Sequence, residues 1–124
     1  MTNKKFDIHD RTLTFAARVA KFVDGLPSKL AAIEYSKQLI RASSSIGANI
    51  EEADGTLSKR DFVNKISISR REARESRYWL RLIDKADLVR GSIMRAECDW
   101  LTNEARELML ILSSIINNTR QNSK

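Results

Sequence analysis

Apolar residues recur along this chain in steps of three and four, the period of an amphipathic helix, and the pattern repeats in four blocks. The first block predicts a helix over about 8–24. Leu13, Ala16, Ala17, Ala20 and Val23 make one stripe, which Phe15, Val19 and Phe22 widen. Arg11, Thr14, Arg18 and Lys21 form a narrow polar line. So wide an apolar arc implies burial against more than one neighbour. Asp7 suits the N-cap, Gly25 suits the C-terminal stop, and Pro27 prevents continuation.

The second block predicts a helix over about 29–53, capped by Ser28, with Leu39, Ala42, Ser43, Ile46, Ile50 and Ala53 facing the core. Its middle, Ser43 to Ala48, is built from small residues apart from Ile46. Ser and Gly are mediocre helix formers. Their expected use is steric: they let a neighbouring backbone approach. A loop break over Ser43–Gly47 is the rival reading.

The third block predicts a helix over about 59–87. Ser58 and Asp61 carry a capping-box spacing, and Phe62, Ile66, Ser69, Ala73, Ser76, Leu80 and Ile83 form the seam. The fourth predicts a helix over about 93–117 capped by Ser92, with Met94, Leu101, Ala105, Leu108, Leu112 and Ile115 inward. Residues 1–6 and 118–124 are polar and expected to fray. Four amphipathic helices with short connections predict an all-α fold: one antiparallel up-down-up-down four-helix-bundle domain over 1–124. An elongated helical hairpin that dimerises is the alternative.

Composition narrows the chemistry. Four Gly and one Pro in 124 residues are too few for the turns of an all-β fold. A single cysteine, Cys98, excludes an intramolecular disulfide and a multi-cysteine zinc site. No run of 18 apolar residues predicts a membrane span, and Met1-Thr-Asn-Lys-Lys lacks a signal-peptide core, so a cytoplasmic protein is expected. A di-iron bundle needs Glu-x-x-His on two helices. The lone histidine, His9, lies near the N-terminus, and Glu72 and Glu75 lack histidine partners. Cys98 has no histidine to activate it, and no Gly-rich phosphate loop exists. A non-enzymatic protein without cofactor or metal is expected.

The net charge of +6 raises the question of where the excess cations fall. Arg70, Arg74, Arg77, Arg81 and Lys85 follow steps of four, three, four and four, so they share one face of the third helix, and Arg60 extends that line backwards. Such a line can track a phosphate backbone. It can equally be a solvated face paired with Glu72, Glu75 and Asp84. The opposite flank holds Trp79 and Leu82, and the fourth helix adds Trp100 and Leu110 outside its seam. Apolar surface there points to a homo-oligomer interface. On the second helix Asn49 and Glu52 lie beside the seam. They are either exposed near the helix end or part of a semi-buried network with arginines of the third helix.

Several strings then match a known family. They are Arg11-Thr-Leu-Thr-Phe-Ala, Gln38-Leu-Ile-Arg-Ala-Ser-Ser-Ser-Ile-Gly-Ala-Asn-Ile-Glu-Glu-Ala, Leu57-Ser-Lys-Arg-Asp-Phe and Ile66-Ser-Ile-Ser-Arg-Arg-Glu-Ala-Arg-Glu-Ser-Arg-Tyr-Trp-Leu-Arg-Leu-Ile. Together they resemble the bacterial four-helix-bundle family first described from intervening sequences in large-subunit ribosomal RNA genes. The resemblance covers about Phe6 to Ile116. It implies an up-down-up-down bundle that assembles as a ring, typically a homopentamer, with a charged channel or face. A relative in that family, the accessory protein of diversity-generating retroelements, is implicated in binding nucleic acid and a reverse transcriptase. The resemblance also marks Asn49, Glu52, Glu72 and Glu75 as signature polar residues, and so favours the network. The expected partners are further copies of the chain, with RNA or DNA, or a protein, as candidates for a second partner.

Overall fold

The computed structural model describes residues 7–122. Its element order is α1 (Ile8–Asp24), α2 (Leu30–Asp54), α3 (Lys59–Lys85) and α4 (Gly91–Gln121), and the described residues contain no strand. Connections of four or five residues force each helix to return beside its predecessor. Helix α2 packs on α1 and α3, and α4 closes the bundle against α3 and α1.

The ends follow local chemistry. Asp7 accepts a hydrogen bond from the Asp10 amide at 3.2 Å, and Ser58 accepts one from the Asp61 amide at 3.1 Å. Helix α3 stops at Lys85, two residues before the expected end, because Asp87 turns left-handed at φ 62°. The Leu88 amide then donates to Ile83 O at 3.2 Å and the Asp87 amide to Asp84 O at 3.0 Å, a Schellman closure with Asp in the position Gly usually takes. The turn drops Leu88 and Val89 into the core. Two expected caps are corrected. The N-cap of α2 is Lys29 instead of Ser28, and that of α4 is Arg90 instead of Ser92, both without a side-chain bond. Helix α4 runs four residues beyond its expected end, so 118–121 are helical. The fraying expected at 1–6 and 123–124 lies outside the described residues.

One core runs the length of the bundle. The α2 seam of Leu39, Ala42, Ser43, Ile46, Ile50 and Ala53 is buried in full, as is the α3 seam from Ile66 to Ile83. Helix α4 buries Cys98, Leu101, Ala105, Leu108, Leu112 and Ile116, with Ile115 only half-buried. Helix α1 departs from the reading of its pattern. Thr12, Phe15, Val19 and Phe22 face the core, while Leu13 is 71 % exposed and Ala17 and Ala20 face outward. An arc apolar on nearly every side does not define its inner face by pattern alone; the large aromatic rings go inside.

The small middle of α2 remains helical, which excludes a break at Ser43–Gly47. Ser43, Ser44 and Ser45 fold their hydroxyls back onto Ile40 and Arg41 carbonyls. Their size serves two neighbours. On one side, Ser69 of α3 is fully buried and donates from Oγ to the Ile46 carbonyl at 2.8 Å, a side chain-to-backbone bond across the α2–α3 seam. On the other, a Cβ added at Gly47 would lie 2.9 Å from Thr12 Oγ1 of α1. Thr12 is branched, buried, and tied to Ile8 O and His9 O, so it cannot swing away.

Gly47→Ala therefore sets a helix-propensity gain of about 1 kcal/mol against an overpacking cost of about 1–3 kcal/mol. The expected result is a lower urea midpoint, partly restored by adding Thr12→Ala. An increase in midpoint from Gly47→Ala alone contradicts the close approach.

Candidate nucleic-acid interface

Six of the chain's acids are drawn away from the basic line of α3. Arg41, from α2, reaches Glu72 at 3.3 Å and also bonds Glu75. Gln38 steadies it by accepting from its Nε at 3.4 Å. Glu75 also receives the Trp79 indole N–H at 3.4 Å. Arg95, from α4, takes Asp84 at 2.8 Å and Asp99 at 3.7 Å, and Arg90 takes Asp87 at 3.5 Å. On α4, Glu107 is held by Arg106 of its own helix at 2.9 Å.

The consequence falls on the cations of α3. Among the described residues, Arg60, Arg70, Arg74, Arg77, Arg81 and Lys85 form no ion pair. Arg70 donates to Ser113 Oγ of α4 at 3.2 Å, which places the line on the α4 side of the helix. Arg60, Arg74, Arg81 and Lys85 are exposed, and Arg70 and Arg77 are half-buried. The pairing of this face with Glu72, Glu75 and Asp84, one of the two arrangements open from spacing, does not occur.

The signature polar residues do not form one network. Glu72 and Glu75 share Arg41 of α2, not an arginine of α3. Glu52 pairs with Lys65 at 2.7 Å, and Asn49 donates to Ser45 O of its own helix at 2.8 Å. The four expected interface residues also separate. Trp79 packs beside Tyr35 and Tyr78, with ring centroids 5.9 Å and 5.2 Å away, against the core. Leu82 is half-buried. Trp100 is 37 % exposed and lies under the Arg18 guanidinium, whose carbon is 3.4 Å from the ring centroid. Leu110 is open to solvent at 54 %. Leu13, Ile33 and Ile40 are exposed as well, and pattern reading did not single them out as an outer surface.

A second set of ions closes α1 on α4. Arg11 makes two bonds to Glu104, at 3.0 and 2.7 Å, and Arg18 makes two to Glu97, at 2.9 and 2.6 Å. Glu104 is only 8 % exposed, and that fork-to-fork contact offsets the cost of burying a carboxylate. Sequence reasoning missed these pairs. The signal was the seven-residue spacing of Arg11 and Arg18 matched by that of Glu97 and Glu104. His9 ties the start of α1 to the end of α2, with Nδ1 2.8 Å from Glu51 and Nε2 2.8 Å from Asp54.

Other chemistry finds no assembly. Among the described residues, no cluster of His, Cys, Asp or Glu is placed to hold a metal ion. Burial pushes the Cys98 thiol up from its ordinary value, which keeps it protonated. No helix of the described residues is long and apolar enough to cross a membrane.

The comparisons with known proteins agree with this architecture. The family model described as 23S rRNA-intervening sequence protein matches residues 4–114. The chain belongs to that family. A crystal structure of a protein of unknown function from the S23 ribosomal protein family of Bacteroides thetaiotaomicron is similar at 32 % identity. The match covers 88 % of this chain and 97 % of that one, with a TM-score of 0.74. No curated protein matches the chain.

The bonded Arg18 guanidinium holds the Glu97 carboxyl below the usual carboxylate range. A lowered folded-state pKa contributes stability that is complete above the ordinary unfolded value, about pH 4–5, and is lost as pH falls through the lower folded value. Urea midpoints measured from pH 6 down to pH 3 are therefore expected to fall less steeply in Arg18→Gln than in the parent. Parallel profiles contradict the linkage.

Proposed function

We propose that this family member is a non-enzymatic, oligomeric bundle protein that binds nucleic-acid backbone through the α3 cation line. The observation that carries the proposal is the partition of charge. Glu72, Glu75 and Asp84 of α3 engage arginines of α2 and α4, while Arg60, Arg70, Arg74, Arg77, Arg81 and Lys85 keep no carboxylate partner among the described residues. Unpaired cations spaced along one face attract a polyanion, and phosphates displace the counterions they would otherwise hold. The family description, which names an intervening sequence of 23S rRNA, is compatible with an RNA partner. The cytoplasm is the compartment in which that partner would be met.

Contact with phosphates predicts sequence-tolerant binding that falls steeply with salt. Arg74→Glu with Arg81→Glu is expected to weaken binding of RNA and DNA probes at least tenfold for all sequences alike. It should also flatten the log affinity–log salt slope by about 0.7–0.9 for each contact removed. Fluorescence anisotropy across 50–300 mM salt provides the measurement. Unchanged affinity after the reversal overturns the site.

The second reading is self-association, with a protein partner and no nucleic-acid role. Exposed Leu13, Ile33, Ile40, Trp100 and Leu110 favour assembly, because apolar surface outside the seam gains from being covered. A homopentamer is the assembly proposed. Light scattering at tens of micromolar is expected to give about five times the 14.2 kDa chain mass, and Ile40→Glu with Leu110→Glu is expected to lower it. A monomeric parent mass removes the ring, and retention on heparin resin separates the two readings.

A further inference from the structure

The α3 cation line ends in a groove. Between the C-terminal half of α3 and the N-terminal half of α4 lies an open depression of about 860 Å³. Its α3 wall holds Arg77, Tyr78, Arg81 and Lys85, and its α4 wall includes Thr102 and Asn103. That volume lies in the range of sites that take a small organic ligand.

Three acids, Asp84, Asp87 and Asp99, also line the groove. They do not make it anionic, because Arg95 and Arg90, which do not line it, pair with all three. Arg106 on the rim is engaged by Glu107 and Asn103. Arg77, Arg81 and Lys85 are left without ion-pair partners among the described residues. Arg77 is half-buried, and its buried Nε has no acceptor among the described residues. Its side chain lines the groove with no carboxylate to offset the charge, which an anion entering the groove would supply.

Tyr78 supplies the other half of the chemistry. Its ring meets Trp79 edge-on at 5.2 Å and is nonetheless 55 % exposed at the groove. An exposed ring beside unpaired cations suits a nucleotide, whose base stacks while its phosphate binds the cations. Axes of packed helices lie about 8–10 Å apart. A groove between two of them admits a splayed base but not a duplex, whose bases are already stacked.

We propose that the α3–α4 groove seats an unpaired nucleotide of single-stranded RNA, with its base on Tyr78 and its phosphate on Arg77, Arg81 and Lys85. This rests on the phosphate-binding reading above and adds to it a groove that takes single strands only.

The test is anisotropy of a labelled 12-nucleotide mixed-sequence RNA, alone and annealed to its complement. The probes are read with the parent, Tyr78→Ala, Tyr78→Phe and Arg74→Glu, each checked for a parent-like urea midpoint. Tyr78→Ala is expected to weaken single-strand binding about tenfold or more and leave duplex binding within twofold. Tyr78→Phe, which keeps the ring, should restore the single-strand value. Arg74→Glu, outside the groove lining, should weaken both probes. The groove proposal is overturned if Tyr78→Ala changes neither probe or both equally, or if Tyr78→Phe behaves as Tyr78→Ala. It is also overturned if polyglutamate at matched charge displaces the RNA as well as unlabelled RNA does, which marks an acidic-protein site. No binding of either probe overturns the backbone reading with it. Binding of both probes that Arg74→Glu weakens and Tyr78→Ala spares overturns the groove alone.

Discussion

The close packing of α2 on α3 sets the rest of the molecule. Ser69, fully buried in the seam, donates from Oγ to the Ile46 carbonyl. This contact fixes the antiparallel register of the two helices. In that register Arg41 lies opposite Glu72 and Glu75, and Lys65 lies opposite Glu52. A side chain displaced by one helical turn, about 5.4 Å, would break these pairs. The choice of ion partners thus depends on the small Ser69 buried in the seam.

Charge then follows packing. On an isolated α3 helix Arg71 and Glu75 are spaced i, i+4 and Arg81 and Asp84 i, i+3, so each of these acids would have a cation of its own helix in reach. In the bundle, arginines of α2 and α4 capture Glu72, Glu75 and Asp84 instead. Arg60, Arg70, Arg74, Arg77, Arg81 and Lys85 are left without a carboxylate partner among the described residues. A modest net charge of +6 thereby becomes a localised basic face, whose field a distant polyanion can sense. Where α4 meets α1, the forks of Arg11 and Arg18 on Glu104 and Glu97 do the opposite. They neutralise the α1–α4 boundary and hold the helix pair together.

Much of the fold was legible because it depends on local information. The caps at Asp7 and Ser58, the four helical periods, and the seams of α2 and α3 are properties of a helix and its next few residues. The inner face of α1 was not legible. With Leu13, Ala16, Ala17 and Ala20 beside Phe15, Val19 and Phe22, several stripes are equally apolar, and only the shape of the cavity left by α2 and α4 selects among them. Gly47 illustrates the difference: its small size suggested a close neighbour, but only the structure shows that the neighbour is Thr12.

The candidate site divides in the same way. Periodicity by itself determined that Arg70, Arg74, Arg77, Arg81 and Lys85 share a face, since 3.6 residues per turn leaves no other arrangement. It could not determine whether that face is neutralised. The answer depends on distances of 2.7–3.3 Å between side chains on different helices, and these are set by register and packing across the bundle. Helices, the caps at Asp7 and Ser58 and the charged stripes were therefore written in the order of residues. Tertiary structure alone decided which charges are cancelled, which ring of the Tyr78–Trp79 pair is left exposed, and where a groove opens beside it, because each depends on residues brought together from separate helices.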